Sequence, residues 1–393
     1  MTRASTFLAA AALAIAAVLW SASPLPVGAV ALWLGLFSAI ACVRARRARR
    51  TPRFIATYAL ALVLLGIGAT EAVLYATTPP ESKLDVPDII APDETLGYAA
   101  VPGVRDRGTH RIGEEVVYSV EYTFDDERMR VAPPPADPPP TTSVLCFGCS
   151  YMYGTGVEDE EAVPYRLQDE LDGRYRVYNL ALGGWGAHQM LARLTSGQVE
   201  AIVDEPPLVA VYWALPDHVW RAAGERVWDR EGPLYGVNDE GLAERLGTFA
   251  DLPGAASKFA PRGEREKRSW ILQRIAAHRK AARNRVPLPA DVARWRAIVR
   301  TARAEVEARF PGCAFVVLFD DRRPDGAEEA MAALDEIGVT WKRVTAALPH
   351  EPEDPYRWRQ HPRELHPTPE AASRVARYLA DEVVRPVATS GER

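Results

Sequence analysis

Residues 143–157 read Ser-Val-Leu-Cys-Phe-Gly-Cys-Ser-Tyr-Met-Tyr-Gly-Thr-Gly-Val, and the fold turns on how this stretch is read. Residues 144–147 form an apolar run of the length and character of a strand buried on both faces, as in a parallel sheet. Gly148 ends the run, and Gly154 and Gly156 lead into a segment that predicts a helix from about Glu160. Ser150 stands in the turn between them. At the carboxyl edge of a parallel sheet, beside a helix N-terminus, a hydroxyl sits where ligands of open α/β folds collect. A lone Gly-x-Ser is more often an ordinary polar turn. Its weight comes from the rest of the chain.

Further on, 208–215 is a second apolar strand, ending in Pro216-Asp217-His218. The pattern then alternates: helix 291–309, strand 313–319, helix 326–337, strand 340–344 and a final amphipathic helix 369–384. In that last helix Ala372, Val375, Ala376, Leu379 and Val383 recur at helical spacing. Such alternation predicts α/β architecture with a parallel sheet.

Four blocks stand in order: Gly148-Cys149-Ser150, Asn179-Leu-Ala-Leu-Gly-Gly184, Ala214-Leu-Pro-Asp217 and Glu364-Leu-His366. Together they resemble the SGNH, or GDSL-type, hydrolase superfamily, in a branch with Gly-Cys-Ser in place of Gly-Asp-Ser. The resemblance covers roughly 143–385 and implies a flavodoxin-like three-layer α/β/α sandwich with a parallel sheet. It implies Ser150 as nucleophile, His366 as base, and the backbone N–H groups of Ser150 and Gly184 as oxyanion donors. Two positions depart from the family. Pro216 falls where an Asn side chain completes the oxyanion hole, and proline offers no donor, so His218, Arg221 or Asn238 is expected to substitute, with His218 preferred. Arg363 stands where the family has its acid, so Glu364 is expected to orient His366, with Asp354 as the rival. A literal Gly-Val-Asn-Asp at 236–239 lacks a preceding apolar strand and reads as a hairpin turn at 237–241. His361 is the rival base, and His110, His188, His278 and His350 read as surface or structural residues.

The chain has 393 residues, enough for one sizeable domain with additions, and its apolar residues are unevenly spread. Residues 6–20, 26–43 and 54–76 are apolar stretches near bilayer length, the last broken by Glu71. The first could alternatively be a cleaved signal peptide. Arginines crowd 44–53, which predicts a cytoplasmic loop, three transmembrane helices and export of everything after residue 77. The expected location is therefore the bacterial inner membrane with a periplasmic C-terminal domain. A formal net charge of −5 gives no basic surface for nucleic acid. Cys146 and Cys149 form a C-x-x-C, but in an extended strand their spacing is too long for a disulfide. No metal-ligand spacing or nucleotide fingerprint is present, and no cofactor is expected.

The expected organisation is a membrane anchor at 1–80, a small β-rich segment at 84–131, a Pro-rich connector at 132–142, and the SGNH-like domain at 143–388 with an insertion at 219–290. In the β segment Val116, Tyr118, Val120, Tyr122 and Phe124 are expected to share one face. Together these readings predict a membrane-anchored serine esterase acting on an acylated carbohydrate or lipid-linked ester, its lipid bilayer contact made through the N-terminal helices. The alternatives are an extracytoplasmic polysaccharide O-acyltransferase and a catalytically silent carbohydrate-binding relative.

Overall fold

The computed structural model describes residues 27–47, 51–134, 136–260, 269–283 and 286–391. The apolar stretch at 6–20 lies outside them. The chain divides into two compact units, one of Met1–Pro80 with Pro261–Arg283 and the other of Glu81–Ala260 with Asn284–Arg393.

In the first unit, α1 (Val27–Arg47) packs against α2 (Thr51–Ala76). A Cβ at Gly35 would come within 2.9 Å of Leu65 Cγ, so the glycine permits the close approach. The Ile55–Ala76 part of α2, with mean hydropathy 1.9, is long and apolar enough to cross a membrane. Among the described residues it is the one helix that is; α1, with three arginines in its last turn, falls short of the span expected at 26–43. Glu71, which interrupts the apolar run, is buried and has a local role. Its carboxylate accepts the Ser269 hydroxyl at 2.5 Å and the Trp270 N–H at 2.8 Å. It thereby caps the helix Trp270–Arg283, whose first N–H groups would otherwise lack partners. The basic helix expected within the 219–290 insertion thus belongs to this unit.

The second unit is built on a five-stranded, all-parallel sheet. Its strands are β6 (Ser143–Phe147), β7 (Arg176–Asn179), β8 (Pro207–Ala214), β11 (Ala314–Phe319) and β12 (Thr340–Arg343), in spatial order β7-β6-β8-β11-β12. Counted along the chain this is 2-1-3-4-5, the flavodoxin-like order. Every residue from Val144 to Phe147 is fully buried, as strands covered on both faces require. Val144 and Cys146 share a core with the helices α4 (Val163–Glu170) and α9 (Pro369–Leu379). Leu145 and Phe147 point the other way, into a core shared with α5 (Ala187–Thr195), α7 (Pro289–Arg309) and α8 (Ala327–Glu336). These are the three expected layers. The last helix departs from its expected end, passing at Ala380–Val384 into a π-helical turn.

Before the sheet come β1 (Ser82–Asp85), β4 (Arg105–Ile112) and β5 (Glu115–Thr123), antiparallel in the order β1-β4-β5, and a hairpin of β2 (Ile90–Asp93) and β3 (Gly97–Ala100). Tyr118, Val120, Tyr122 and Phe124 face the core as expected, but Val116 is 45% exposed. A register shift between His110 and Arg111 in the partner strand takes Val116 out of the alternation.

Arg130, 1% exposed, joins this β element to the serine turn. Its guanidinium donates to the carbonyls of Tyr153 (3.1 Å), Gly154 (2.5 Å) and Val157 (2.6 Å) and to Asp159 (2.7 Å), and lies over the rings of Tyr122 and Tyr153. Removing it strands a carboxylate and three carbonyls in a buried setting. Arg130→Ala is expected to destabilise this unit by about 3–5 kcal/mol, read as a lower urea midpoint in near-UV circular dichroism. An unchanged midpoint would show that water replaces the guanidinium freely.

Candidate functional site

The strand order reverses between β6 and β8, and in open α/β sheets the crevice beyond the strand ends at that point is where ligands bind. Ser150 is there. Cys149 leaves β6 in an extended conformation and Ser150 opens the single-turn helix α3 (Ser150–Tyr153). The turn is tight: a Cβ on Gly148 would meet Met152 Cβ at 2.8 Å and the Trp213 carbonyl at 3.3 Å. Ser150 is 8% exposed, and its Oγ has Cys149 Sγ at 3.9 Å, a weak contact.

The expected base and acid are brought together. His366 and Glu364 lie on β14 (Glu364–Pro367), paired with β13 (Arg359–His361). The Glu364 carboxylate bonds His366 Nδ1 and also accepts the His366 backbone N–H at 3.1 Å. Burial alone would raise the Glu364 carboxyl, but the His366 hydrogen bonds and charge, with His110 behind them, hold it below the usual carboxylate range. Tyr151, next to Ser150, fastens this strand to the serine helix. Its hydroxyl donates to the Leu365 carbonyl at 2.7 Å and its ring centroid is 5.3 Å from that of His366. Arg323 bonds the same hydroxyl, while burial keeps the phenol well above its ordinary pKa and protonated. Among the described residues no hydrogen bond joins Ser150 Oγ to His366.

The rivals are occupied elsewhere. Asp354 is exposed and accepts the Tyr356 N–H, and His361 Nδ1 accepts the Arg363 N–H. Asn238 spends its side-chain oxygen on the N–H groups of Glu240 and Leu242, so the motif runs from the end of β9 (Pro233–Val237) into the 238–242 turn before β10 (Ala243–Thr248). Cys146 and Cys149 are both free thiols in the core.

Gly184 has φ +83°, and a Cβ there would lie 2.5 Å from Tyr98 Oη and 2.9 Å from Trp228 Nε1, so the position requires glycine on both counts. Its loop is pinned from three sides. Tyr98 Oη donates to the Gly183 carbonyl (2.9 Å), Trp228 Nε1 to that of Gly184 (3.4 Å), and Arg221 Nη1 to that of Trp185 (2.6 Å).

After β8, Asp217 is held by two guanidiniums, Arg221 Nε at 2.7 Å and Arg226. Burial pushes its carboxyl up, yet the two arginines keep it far below the usual range. His218 is fully buried, its Nδ1 2.6 Å from Tyr212 Oη and 3.4 Å from the Leu215 N–H, and burial holds it neutral. With both neighbours donating to Nδ1, the proton resides on Nε2, which has no hydrogen-bond partner among the described residues.

Two histidines read as surface or structural are buried beside carboxylates. His188 Nε2 lies 2.7 Å from Asp229, which also takes both contacts of Gln189. His110 Nδ1 lies 2.8 Å from the second oxygen of Glu364, near enough for charge pairing but without hydrogen-bond alignment, and its Nε2 meets Ser82 Oγ at 2.7 Å. Tyr98, His110 and Trp228 carry no sequence signal of a role here, because tertiary packing brings them in from segments far along the chain.

No protein-family model and no curated protein matches the chain. Solved structures similar to it include TesA (15% identity, TM-score 0.34, 63% of this chain and 99% of that one). Another is AlinE4, described as an SGNH-hydrolase family esterase (13%, 0.33, 63% and 96%). A third is a member of the lipolytic protein G-D-S-L family from Veillonella parvula (11%, 0.34, 62% and 98%). At these identities none assigns a residue or a substrate to this chain.

The depressed Glu364 carboxyl has a testable sign. Its folded pKa lies below its unfolded value, so its stabilisation is complete above the ordinary carboxylate range and is lost as pH falls through the folded pKa. Acid should therefore lower the unfolding midpoint of the native chain more than that of Glu364→Gln. Parallel acid profiles for the two would show that Glu364 is not held ionised.

Proposed function

We propose that the chain is a membrane-anchored serine hydrolase of SGNH type, cleaving an ester of a carbohydrate or lipid-linked substrate on the periplasmic side of the bacterial inner membrane. The observation that carries the reading is the Glu364–His366 pair, fastened through Tyr151 to the helix that begins with Ser150, at the reversal of a 2-1-3-4-5 sheet. Glu364 accepts from Nδ1–H and leaves the lone pair of His366 Nε2 free to take a proton. In the proposed cycle Ser150 Oγ attacks the ester carbonyl and gives its proton to Nε2. The alcohol leaves with that proton, and water releases the acyl group by the reverse steps.

The oxyanion would be met by the N–H groups of Ser150 and Gly184. The third donor, in place of the family's Asn, would be the unpartnered Nε2–H of His218. A donor of this kind is worth about 10²–10³ in kcat. The anchor would be the apolar helix α2, with the arginines of the α1–α2 connection retained in the cytoplasm.

Ser150→Ala is expected to abolish turnover of 4-nitrophenyl acetate and fluorophosphonate labelling, while Cys149→Ser stays labelled. Labelling that survives Ser150→Ala and vanishes in Cys149→Ser would move the nucleophile to the thiol, and wild-type chain inert in both assays would leave a binding protein. His218→Ala should lower kcat at least about tenfold while the domain stays folded. Full-rate turnover by that variant would remove His218 from the oxyanion site. For topology, a reporter after Lys83 should be exported and one at Ala48 retained; a retained Lys83 fusion would overturn the periplasmic placement.

A further inference from the structure

Beside the Gly184 loop, between the β3 hairpin and α5, lies a cleft of about 330 Å³ lined by Leu96, Ala99, Leu182, Trp185, Arg193 and Ile202, among others. Its volume is at the lower end of the roughly 300–1,000 Å³ of ligand pockets. Asp126, Glu127 and Arg128 also line it. Arg193 is 6% exposed, and the other buried arginines among the described residues, Arg130, Arg221 and Arg226, are each bonded to a carboxylate. Arg193 is not. Its Nε has no hydrogen-bond partner, and among the described residues no carboxylate pairs with the guanidinium.

Asp125 and Asp93 act on it as charges without forming an ion pair and are engaged elsewhere. Asp125 accepts the Met129 N–H at 2.7 Å; Asp93 accepts Arg128 at 3.0 Å and the N–H groups of Thr95 and Leu96 at 2.9 Å. Burial lowers the Arg193 pKa to about 10, which still leaves it charged at neutral pH. A charged guanidinium whose Nε–H is buried without a partner is costly, and its fork of donors matches carboxylate and phosphate oxygens. The side chain lies over Trp185, 5.8 Å from the ring centroid, and Trp185 directly follows Gly184.

We propose that this cleft is an anion subsite in which Arg193 binds a carboxylate or phosphate group carried by the substrate, so that the ester cleaved is acidic. The link to a substrate rests on the esterase reading; the anion site itself does not. Trp185 connects the two places. Its indole lines the cleft and its carbonyl is held by Arg221, so an anion on Arg193 bears on the residue next to the expected oxyanion donor.

The test is isothermal titration calorimetry of the full chain in non-ionic detergent, with sodium galacturonate, glycerol 3-phosphate and neutral methyl galactoside. Saturable binding of one anion or both is expected, with none of the neutral sugar. Galacturonate binding would point to an acidic saccharide and glycerol 3-phosphate binding to a lipid headgroup. Arg193→Met should weaken binding by about tenfold or more, the loss expected for a charge-assisted hydrogen bond, and Arg193→Lys should restore part of it. Equal binding by wild type and Arg193→Met would overturn the site. So would wild type that binds neither anion, an outcome that stands even if Arg193→Met fails to fold. Measuring ester turnover by wild type beside the titration separates the two readings: anion binding without turnover keeps the site and removes the esterase, and turnover without anion binding does the reverse.

Discussion

The serine turn is held by the guanidinium of Arg130. A one-turn helix such as α3 cannot satisfy its own last carbonyls, and its short length gives it little stability of its own. Arg130 takes up the carbonyls of Tyr153, Gly154 and Val157 together and is itself neutralised by Asp159. Five donors in a rigid plane suit this task, where a lysine would offer a point charge. The aromatic rings of Tyr122 and Tyr153 on which it lies complete the setting. The far end of the turn that carries Ser150 thus depends on a residue that lies outside the sheet.

That dependence extends to the rest of the site, because the β element before the sheet reaches it at three points. Arg130 holds the far end of α3, Tyr98 bonds the Gly183 carbonyl, and His110 stands beside Glu364. A sheet with its helices would supply Ser150, Gly184 and His366, but only some of the groups that fix their surroundings. The β element is therefore part of the site's construction. Residues 84–131 read in sequence as a small β element, and in the fold their side chains reach the serine turn, the Gly184 loop and Glu364.

What was legible in sequence follows from the same division. The parallel sheet was readable because strands buried on both faces are continuous apolar runs, and Val144–Phe147 and Leu208–Ala214 are such runs. Glu364 and His366 stand two residues apart in the chain, so their contact is local and could be expected from sequence. The contacts of His110 and His188 could not be, since a buried imidazole differs from an exposed one only in what tertiary packing brings to it, here Glu364 and Asp229. Val116 was misplaced by one register shift that strict alternation cannot anticipate. Glu71 looked like a blemish in an apolar helix because its partner, the N-terminus of Trp270–Arg283, is nearly 200 residues away.

The Glu364 carboxylate also fixes the protonation of its neighbour by a simple constraint. An ionised carboxylate only accepts, so the His366 ring must present N–H at Nδ1, which leaves the lone pair on Nε2. The depression of the Glu364 carboxyl keeps that constraint in force on the acid side of neutrality. His110, 2.8 Å from the other oxygen, adds to it as a charge neighbour and has its far nitrogen on Ser82, so the acid is bracketed by two imidazoles with different second partners. Only His366 lies against Tyr151 and hence beside the serine helix. On the proposed hydrolase reading, His366 is therefore the imidazole that exchanges a proton with Ser150, while His110 stands behind the acid.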